Sequence, residues 1–268
     1  MIKLKILGSG SAFCNPQHNF NSMILVQFKC AGEGTYRNLL LDCGSDFKAA
    51  CFHHGIRPTD IDAVYVSHLH GDHIGGLEYL AFASYFMPPY RKPKLFITSA
   101  LMKQLWDDSL KGGLESLATN QIRDGKTISQ LDTYFEPYPV MYNESFEFEG
   151  IKFSPIQMVH IVTGRYFKET YGLMIDTGYN KIFWTSDTQF APKQLFGNYK
   201  EADIIIHDCE TGPFKSDVHA HYTDLITLPS EIKEKMWLIH YQDNPIQDAS
   251  LEGGFAGFLQ RGQEIEVN

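Results

Sequence analysis

With 268 residues, 43% of them hydrophobic and 21% charged, the chain is long enough to bury a substantial core and has an ordinary globular composition. Its formal net charge of -9 argues against a broad grip on a phosphate backbone, which relies on many Lys and Arg contacts. A small anionic ligand stays compatible, because a metal can supply local positive charge. Cys14, Cys30, Cys43, Cys51 and Cys209 form no C-x-x-C spacing and read as free thiols in a reducing compartment. The opening MIKLKILGSGSAF is too short an apolar run for a secretory signal, and no stretch approaches a membrane span. A cytoplasmic protein is expected.

In chain order, KLKIL, MILVQF and NLLLDCG read as strands separated by Gly and Asn. DFKAACFHHG reads as a helix stopped at Gly55. AVYVSH is a buried strand, GLEYLAFASYF a helix, LFITS a strand, and ALMKQLWDDSLKGG a helix ended by two glycines. Further strands are expected at FEFEGIKFSPIQM, YGLMIDTG, KIFWTSD, ADIIIHD and KMWLIH. Strands in meander style and then alternating with helices suggest an α/β fold of two sheets packed face to face, helices outside. No linker or repeat divides the chain, so one domain over 1–268 is expected.

The strand AVYVSH delivers SHLHGDHIGG, with four metal-ligand side chains in six positions. On an extended segment His68 and His70 face one side, and the turn that follows brings Asp72 and His73. They can therefore grip one ion and a second beside it, with Gly71, Gly75 and Gly76 allowing the tight backbone. Imidazole and carboxylate donors suit zinc, with manganese or iron as alternatives. One loop offers too few ligands for two metals. His160, Asp187 and His240, each after a hydrophobic run, are candidates for the rest.

LGSGSAF, LLLDCG, IDAVYVSHLHGDHIGG, the His160 segment, TSDT, IIIHDCE, HYT and WLIHY resemble, in order, the metallo-β-lactamase superfamily. The likeness is greatest to its ribonuclease Z and cyclic-phosphodiester hydrolase branch. That resemblance implies an αββα sandwich of two mixed sheets. It implies two Zn2+ (Mn2+ as an alternative), the first on His68, His70 and His160, the second on Asp72, His73 and His240, with Asp187 bridging. Asp72 also counts among its catalytic residues. Asp42 would brace the ligand loop or cap the following helix. Where the ribonuclease Z branch has His-Glu-Ala-Thr and His-Ser-Thr motifs, this chain has HDCE and HYT, so Asp208 and His221 would form the proton-transfer pair. Aspartate replaces glutamate there, and Glu210 and His219 compete for the roles.

Phosphodiester cleavage is the better fit to such a pair, since a leaving alkoxide needs a proton, whereas a β-lactam or thioester hydrolase has less need of one. The interval before His160 holds no basic, glycine-rich arm, so transfer RNA 3′ processing is the second reading and stable nucleic-acid binding is not expected. VHAHYTDLITLP and KMWLIHYQ resemble bacterial and phage members that hydrolyse cyclic nucleotides, including the anti-Pycsar proteins that destroy cyclic CMP and cyclic UMP and blunt a host defence. The resemblance implies a 3′,5′-cyclic nucleotide phosphodiesterase and a homodimer, in the host cytoplasm if phage-encoded. SYFMPPYRK is either a stacking segment for a nucleobase, a dimer contact, or a helix end packed under a loop, and Arg91 either meets a phosphate or is solvated.

Overall fold

The computed structural model describes residues 2–29, 34–117, 128–141, 143–164 and 166–268. Cys30 lies outside the described residues; Cys14, Cys43, Cys51 and Cys209 are buried free thiols. The chain lays down β1 (Ile2–Gly8), β2 (Met23–Lys29), β3 (Tyr36–Leu41), β4 (Ala63–Val66), β5 (Lys94–Thr98) and β6 (Glu136–Val140) as neighbours in that order. A second sheet follows from β7 (Phe146–Phe148), β8 (Ile151–Thr163), β9 (Tyr166–Asp176), β10 (Lys181–Trp184), β11 (Ile204–Asp208), β12 (Met236–Ile239) and β13 (Gly257–Phe258). The chain then returns with β14 (Glu264–Val267), which pairs antiparallel with β1. Both sheets are mixed: antiparallel over β1–β3 and β7–β10, parallel over β3–β6 and β10–β13.

Side-chain alternation sorts the layers. On β3 and β4, Leu39, Leu41, Ala63 and Tyr65 face the second sheet, while Leu40, Val64 and Val66 face helices. The helices on that outer face are α1 (Phe47–His54), α2 (Gly71–Ile74), α3 (Leu77–Phe86), α4 (Ser99–Gln104), α5 (Lys111–Leu114) and α6 (Leu131–Tyr134), with a π-helical turn, Leu105–Leu110, joining α4 to α5. The second sheet is covered by α7 (Pro192–Glu201), α8 (Tyr222–Leu225) and α9 (Ser230–Lys233), through Leu195, Tyr199, Leu225 and Ile232. Between the sheets Phe96, Phe146 and Phe153 stack at centroid spacings of 4.2 and 5.0 Å. This is the expected αββα layering. Among the described residues no helix is long and apolar enough to cross a membrane.

Two details depart from the sequence reading. EPYPV forms β6, a sheet edge, where Pro137 and Pro139 cost no ladder donors on the open side; the prolines are why the pattern reads as non-strand. β8 runs past Met158 to Thr163, so His160 lies within a strand rather than after one. The pairing with β9 shifts register between Met158 and Ile161, a bulge that re-aims the His160 side chain.

Gly44, beyond β3, passes directly under the ligand loop, where a Cβ would collide with the Asp72 carbonyl oxygen. Backbone cannot give way as a side-chain tip can. Gly44→Ala is therefore expected to destabilise the fold by about 2 kcal/mol and to lower retained metal, read by thermal unfolding beside elemental analysis.

Candidate metal centre

The carboxyl ends of β3, β4, β10, β11 and β12 meet at one edge of the sandwich. Three residues there adopt left-handed backbone: Asp42 (φ 59), Ser186 (φ 52) and His240 (φ 66). Non-glycine residues rarely do so, and the conformation costs on the order of 1–3 kcal/mol at each position. It turns the chain sharply out of each strand, so that His240 and, one residue after Ser186, Asp187 enter the edge. The two sheets are tied across it by Tyr171 N–H to Ser67 O (3.1 Å), Ser186 Oγ to Ser67 Oγ (2.8 Å) and His240 N–H to Ser9 O (2.8 Å).

Here the structure brings His68, His70, Asp72, His73, His160, Asp187 and His240 together. His68 Nε2 and His160 Nε2 lie 2.9 and 3.3 Å from His70 Nδ1, and each is 3.6 Å from Asp187 Oδ2. On the other side His73 Nε2 and His240 Nε2 lie 3.3 and 3.2 Å from Asp72 Oδ2, and 3.3 and 3.6 Å from Asp187 Oδ1. Asp187 thus presents one oxygen to each group. In each set of four the ligand atoms all fall within 4.8 Å of one another.

Four of the outward nitrogens face protein acceptors, three of them in hydrogen bonds. His68 Nδ1 meets Ser67 Oγ at 3.0 Å, His73 Nδ1 donates to Asp42 Oδ2 at 2.7 Å, and His160 Nδ1 donates to the Val218 carbonyl at 2.7 Å. His240 Nδ1 stands 3.4 Å from Asp208 Oδ1. Asp42 also accepts from Ser67 N–H and Oγ, both at 2.8 Å, so it braces the ligand loop and does not cap α1. Anchoring one ring nitrogen to an acceptor leaves the other as a lone-pair donor, the arrangement that metal-ligating histidines show. His73 Nε2 is buried and makes no hydrogen bond at all. A buried polar atom without a partner is costly, and a metal ion is the partner this donor set fits.

Left to the protein's own charges, the two groups titrate apart. Burial, then the His73 charge, pushes His68 well below the usual imidazole range. Burial and the charge of Lys168 bring His70 down to about 4. Burial also lowers His73, but Asp187, Asp42 and Asp72 outweigh it and hold its pKa well above the usual value. His240 is lifted in the same way to about 10, burial being outweighed first by Asp187. For Asp72 and Asp187, burial is outweighed by the facing imidazoles, and both carboxyls stay far below the carboxylate range.

The expected pairing of Asp208 with His221 is not found. Asp208 Oδ2 accepts from His219 Nδ1 at 2.8 Å. His221 is the N-cap of α8: its Nδ1 accepts from Thr223 N–H at 3.2 Å and its Nε2 donates to the Gly212 carbonyl at 2.9 Å. Both ring nitrogens are used in fastening the helix start, which leaves His219, two residues upstream, to line the cavity. The buried carboxylate of Glu210 is likewise taken up, accepting from Ser216 N–H at 2.8 Å and from its hydroxyl, and so pins the loop that carries His219. The stretch HYTDL does not by itself separate the two histidines, since histidine is not a favoured cap residue.

The cavity above these groups has a volume of about 520 Å3 and is lined by Phe13, Cys14, His70, Asp72, Ile161 and His219 among others. Residues 84–92 do not line it. Arg91 lies 3.3 Å from Asp62, which immediately precedes β4, at the strand end opposite the metal centre. Tyr85 is buried at the end of α3, while Phe86, Met87 and Tyr90 are exposed.

A family model described as Anti-Pycsar protein Apyc1 matches residues 2–265. An Anti-Pycsar protein Apyc1 of Paenibacillus harenae is 32% identical over 243 residues, covering 90% of each chain. One from Bacillus phage 010DV004 is 30% identical over 268 residues, covering 98% of this chain and 97% of its own. Among solved structures, the metallo-β-lactamase fold protein YhfI from Bacillus subtilis superposes with a TM-score of 0.72 over 99% of both chains at 18% identity, a likeness of fold. The chain is a metal-dependent hydrolase of metallo-β-lactamase fold and belongs to the Anti-Pycsar protein Apyc1 family.

Proposed function

We propose that the chain hydrolyses 3′,5′-cyclic nucleotides, cyclic CMP and cyclic UMP among them, to nucleoside 5′-monophosphates. Two metal ions would be held by His68, His70, His160 and by Asp72, His73, His240, with Asp187 between. The observation that carries the reading is the split of Asp187, one oxygen toward each imidazole group, beside an adjoining Asp208–His219 pair whose histidine lines the same cavity. The names of the relatives support the substrate class. Zinc or manganese bound there supplies a Lewis acid for the phosphoryl oxygens and lowers the pKa of an attacking water.

The chain's own part is to orient and to move a proton. Water attacks phosphorus and gives up a proton to solvent, the P–O3′ bond breaks, and the 3′ oxygen leaves as an alkoxide that takes a proton from a donor later reprotonated by solvent. His219 is suited to give it: Asp208 holds its Nδ1, which leaves Nε2 for the substrate. Burial lowers the His219 pKa, but the charge and hydrogen bond of Asp208 outweigh it and raise the pKa above the ordinary value. That direction favours the protonated ring, the form a proton donor needs. The half-buried ammonium of Lys168, whose pKa burial lowers, adds positive charge beside an anionic substrate. A homodimer acting in the cytoplasm, that of the host where phage-encoded, belongs to the same proposal.

Purified protein is expected to convert cyclic CMP and UMP to 5′-monophosphates by chromatography, chelation to abolish this, and zinc or manganese to restore it. Absence of turnover in the metal-loaded protein overturns the proposal. Cleavage of precursor transfer RNA, in its place, would support the second reading.

His219→Ala is expected to lower kcat by roughly 100- to 10,000-fold with metal retained. His221→Ala should keep kcat and lose about 1 kcal/mol of stability through the lost cap. Normal turnover by His219→Ala removes the proton-donor role.

The sign of the metal's pH dependence follows from the raised pKa values of His73 and His240. Both hold protons at neutral pH without metal, whereas a metal takes the neutral ring. Loading should release protons, and affinity should climb as pH rises through neutrality. His68 and His70, already neutral, contribute none. Calorimetry in buffers of different ionisation heat reads the count; zero release contradicts the assignment.

A further inference from the structure

Phe13 is 98% exposed, a large apolar ring standing almost wholly in water, and it lines the metal cavity. The backbone turn that carries it is fastened by hydrogen bonds. Ser11 and Cys14 close it through Cys14 N–H to Ser11 O at 3.1 Å, leaving Ala12 and Phe13 at its tip. Ser11 N–H donates to the Tyr241 carbonyl at 3.0 Å, and Asn15 N–H to Asp243 at 2.6 Å, so both flanks are bound to the segment that follows His240. Cys14 tucks inward over Gly10, where an added Cβ would meet its Cβ and Sγ at 2.6 and 2.7 Å. With Cys14 turned in, Phe13 is turned out.

Apart from histidines, Phe13 is the one aromatic ring among the described residues that line the cavity; Ile161 and Val218 are the other large apolar ones. The polar groups near it are already engaged. Asn21 and Asp46 bond one another at 3.1 and 3.3 Å, the Asn21 amide reaches the Ser11 carbonyl at 3.4 Å, and the Ser45 hydroxyl donates to the Gly71 carbonyl at 2.9 Å. This wall offers a face to stack on and few free donors or acceptors to read an edge.

We infer that Phe13 is the nucleobase platform of the site, stacking on the base while the metal centre holds the phosphodiester. The inference rests on the cyclic nucleotide reading above and adds a substrate-positioning residue to it. A ring carried on a fastened backbone turn and standing in water suits the role, since its face is open to a base, and stacking accepts any base because each has a π face.

The test compares wild type, Phe13→Ala and Phe13→Trp on cyclic CMP, cyclic AMP and the abasic 3′,5′-cyclic phosphate of 1-deoxyribose. In Phe13→Ala, KM for both nucleotides should rise roughly 5- to 100-fold, the span for losing one base–aromatic stack. The preference over the abasic substrate should collapse, and Phe13→Trp should restore it. Calorimetric affinity for CMP relative to ribose 5-phosphate should fall in parallel, which reads the stack without turnover. Metal content and unfolding midpoint, measured alongside, separate this from a folding defect. If wild type hydrolyses the nucleotides and Phe13→Ala keeps their KM, the platform is overturned and the phosphodiesterase reading stands. If wild type hydrolyses neither, that reading fails and the platform with it.

Discussion

Asp187 is 2% exposed and has ring nitrogens of His68, His73, His160 and His240 at 3.3 to 3.6 Å. A carboxylate taken so far from water is tolerable only when paired and fastened, and the neighbours supply that in layers. Asp42 and Asp208 stand behind His73 and His240, Ser67 behind His68, and the Val218 carbonyl behind His160. Each backing group is itself held, Asp42 by the Ser67 backbone and Asp208 by His219 and by the Thr188 N–H at 2.9 Å. The hydrophobic sandwich beneath serves to hold these polar layers in one place. Removing an outer acceptor would free a ring to turn, so the metal chemistry extends well beyond the atoms that would touch a metal.

The same logic explains why the site lies on strand ends rather than on a helix face. Parallel strands deliver their carboxyl ends to one edge, and the left-handed turns at Asp42, Ser186 and His240 bend the chain there. The interior layer, with Tyr65, Phe96, Phe146, Phe153 and Trp184 packed between the sheets, supplies burial that offsets such strain. Loops that line the cavity are joined to one another in turn. Thr211 N–H bonds the Gln242 side chain at 2.5 Å, and Asn15 bonds Asp243. Three segments far apart in sequence thus form a continuous wall.

Much of this was legible in the residues. Strand alternation in NLLL and AVYV specifies which side chains meet the other sheet, and the density of His and Asp after AVYV marks the edge where chemistry belongs. Features that turn on one or two residues of register were not legible. His219 and His221 are both plausible in HAHYT, and only the start of α8 at Tyr222 decides which ring is consumed as a cap. His160 needs a bulge to face inward. The prolines of β6 disguise a strand whose open side tolerates them. Residues 84–92 look like a stacking segment until the fold sends them to the edge opposite the metal centre. In each instance tertiary placement or register, which one sequence does not encode locally, determined the outcome.

β1 owes its outer neighbour to residues made more than 250 positions later, Lys5 lying opposite Glu264 and Ile2 opposite Val267. At translation rates of 5–20 residues per second, a nascent β1 waits roughly 10–50 s for that partner. Throughout that interval one flank of the first sheet is an unpaired ladder, open to strand addition by other chains. Lys3 and Lys5 lie on this strand, and their charges oppose such pairing until Glu264 arrives to meet both. The completion of the sandwich is thereby a late event in biosynthesis, and the final four-residue strand acts as its latch.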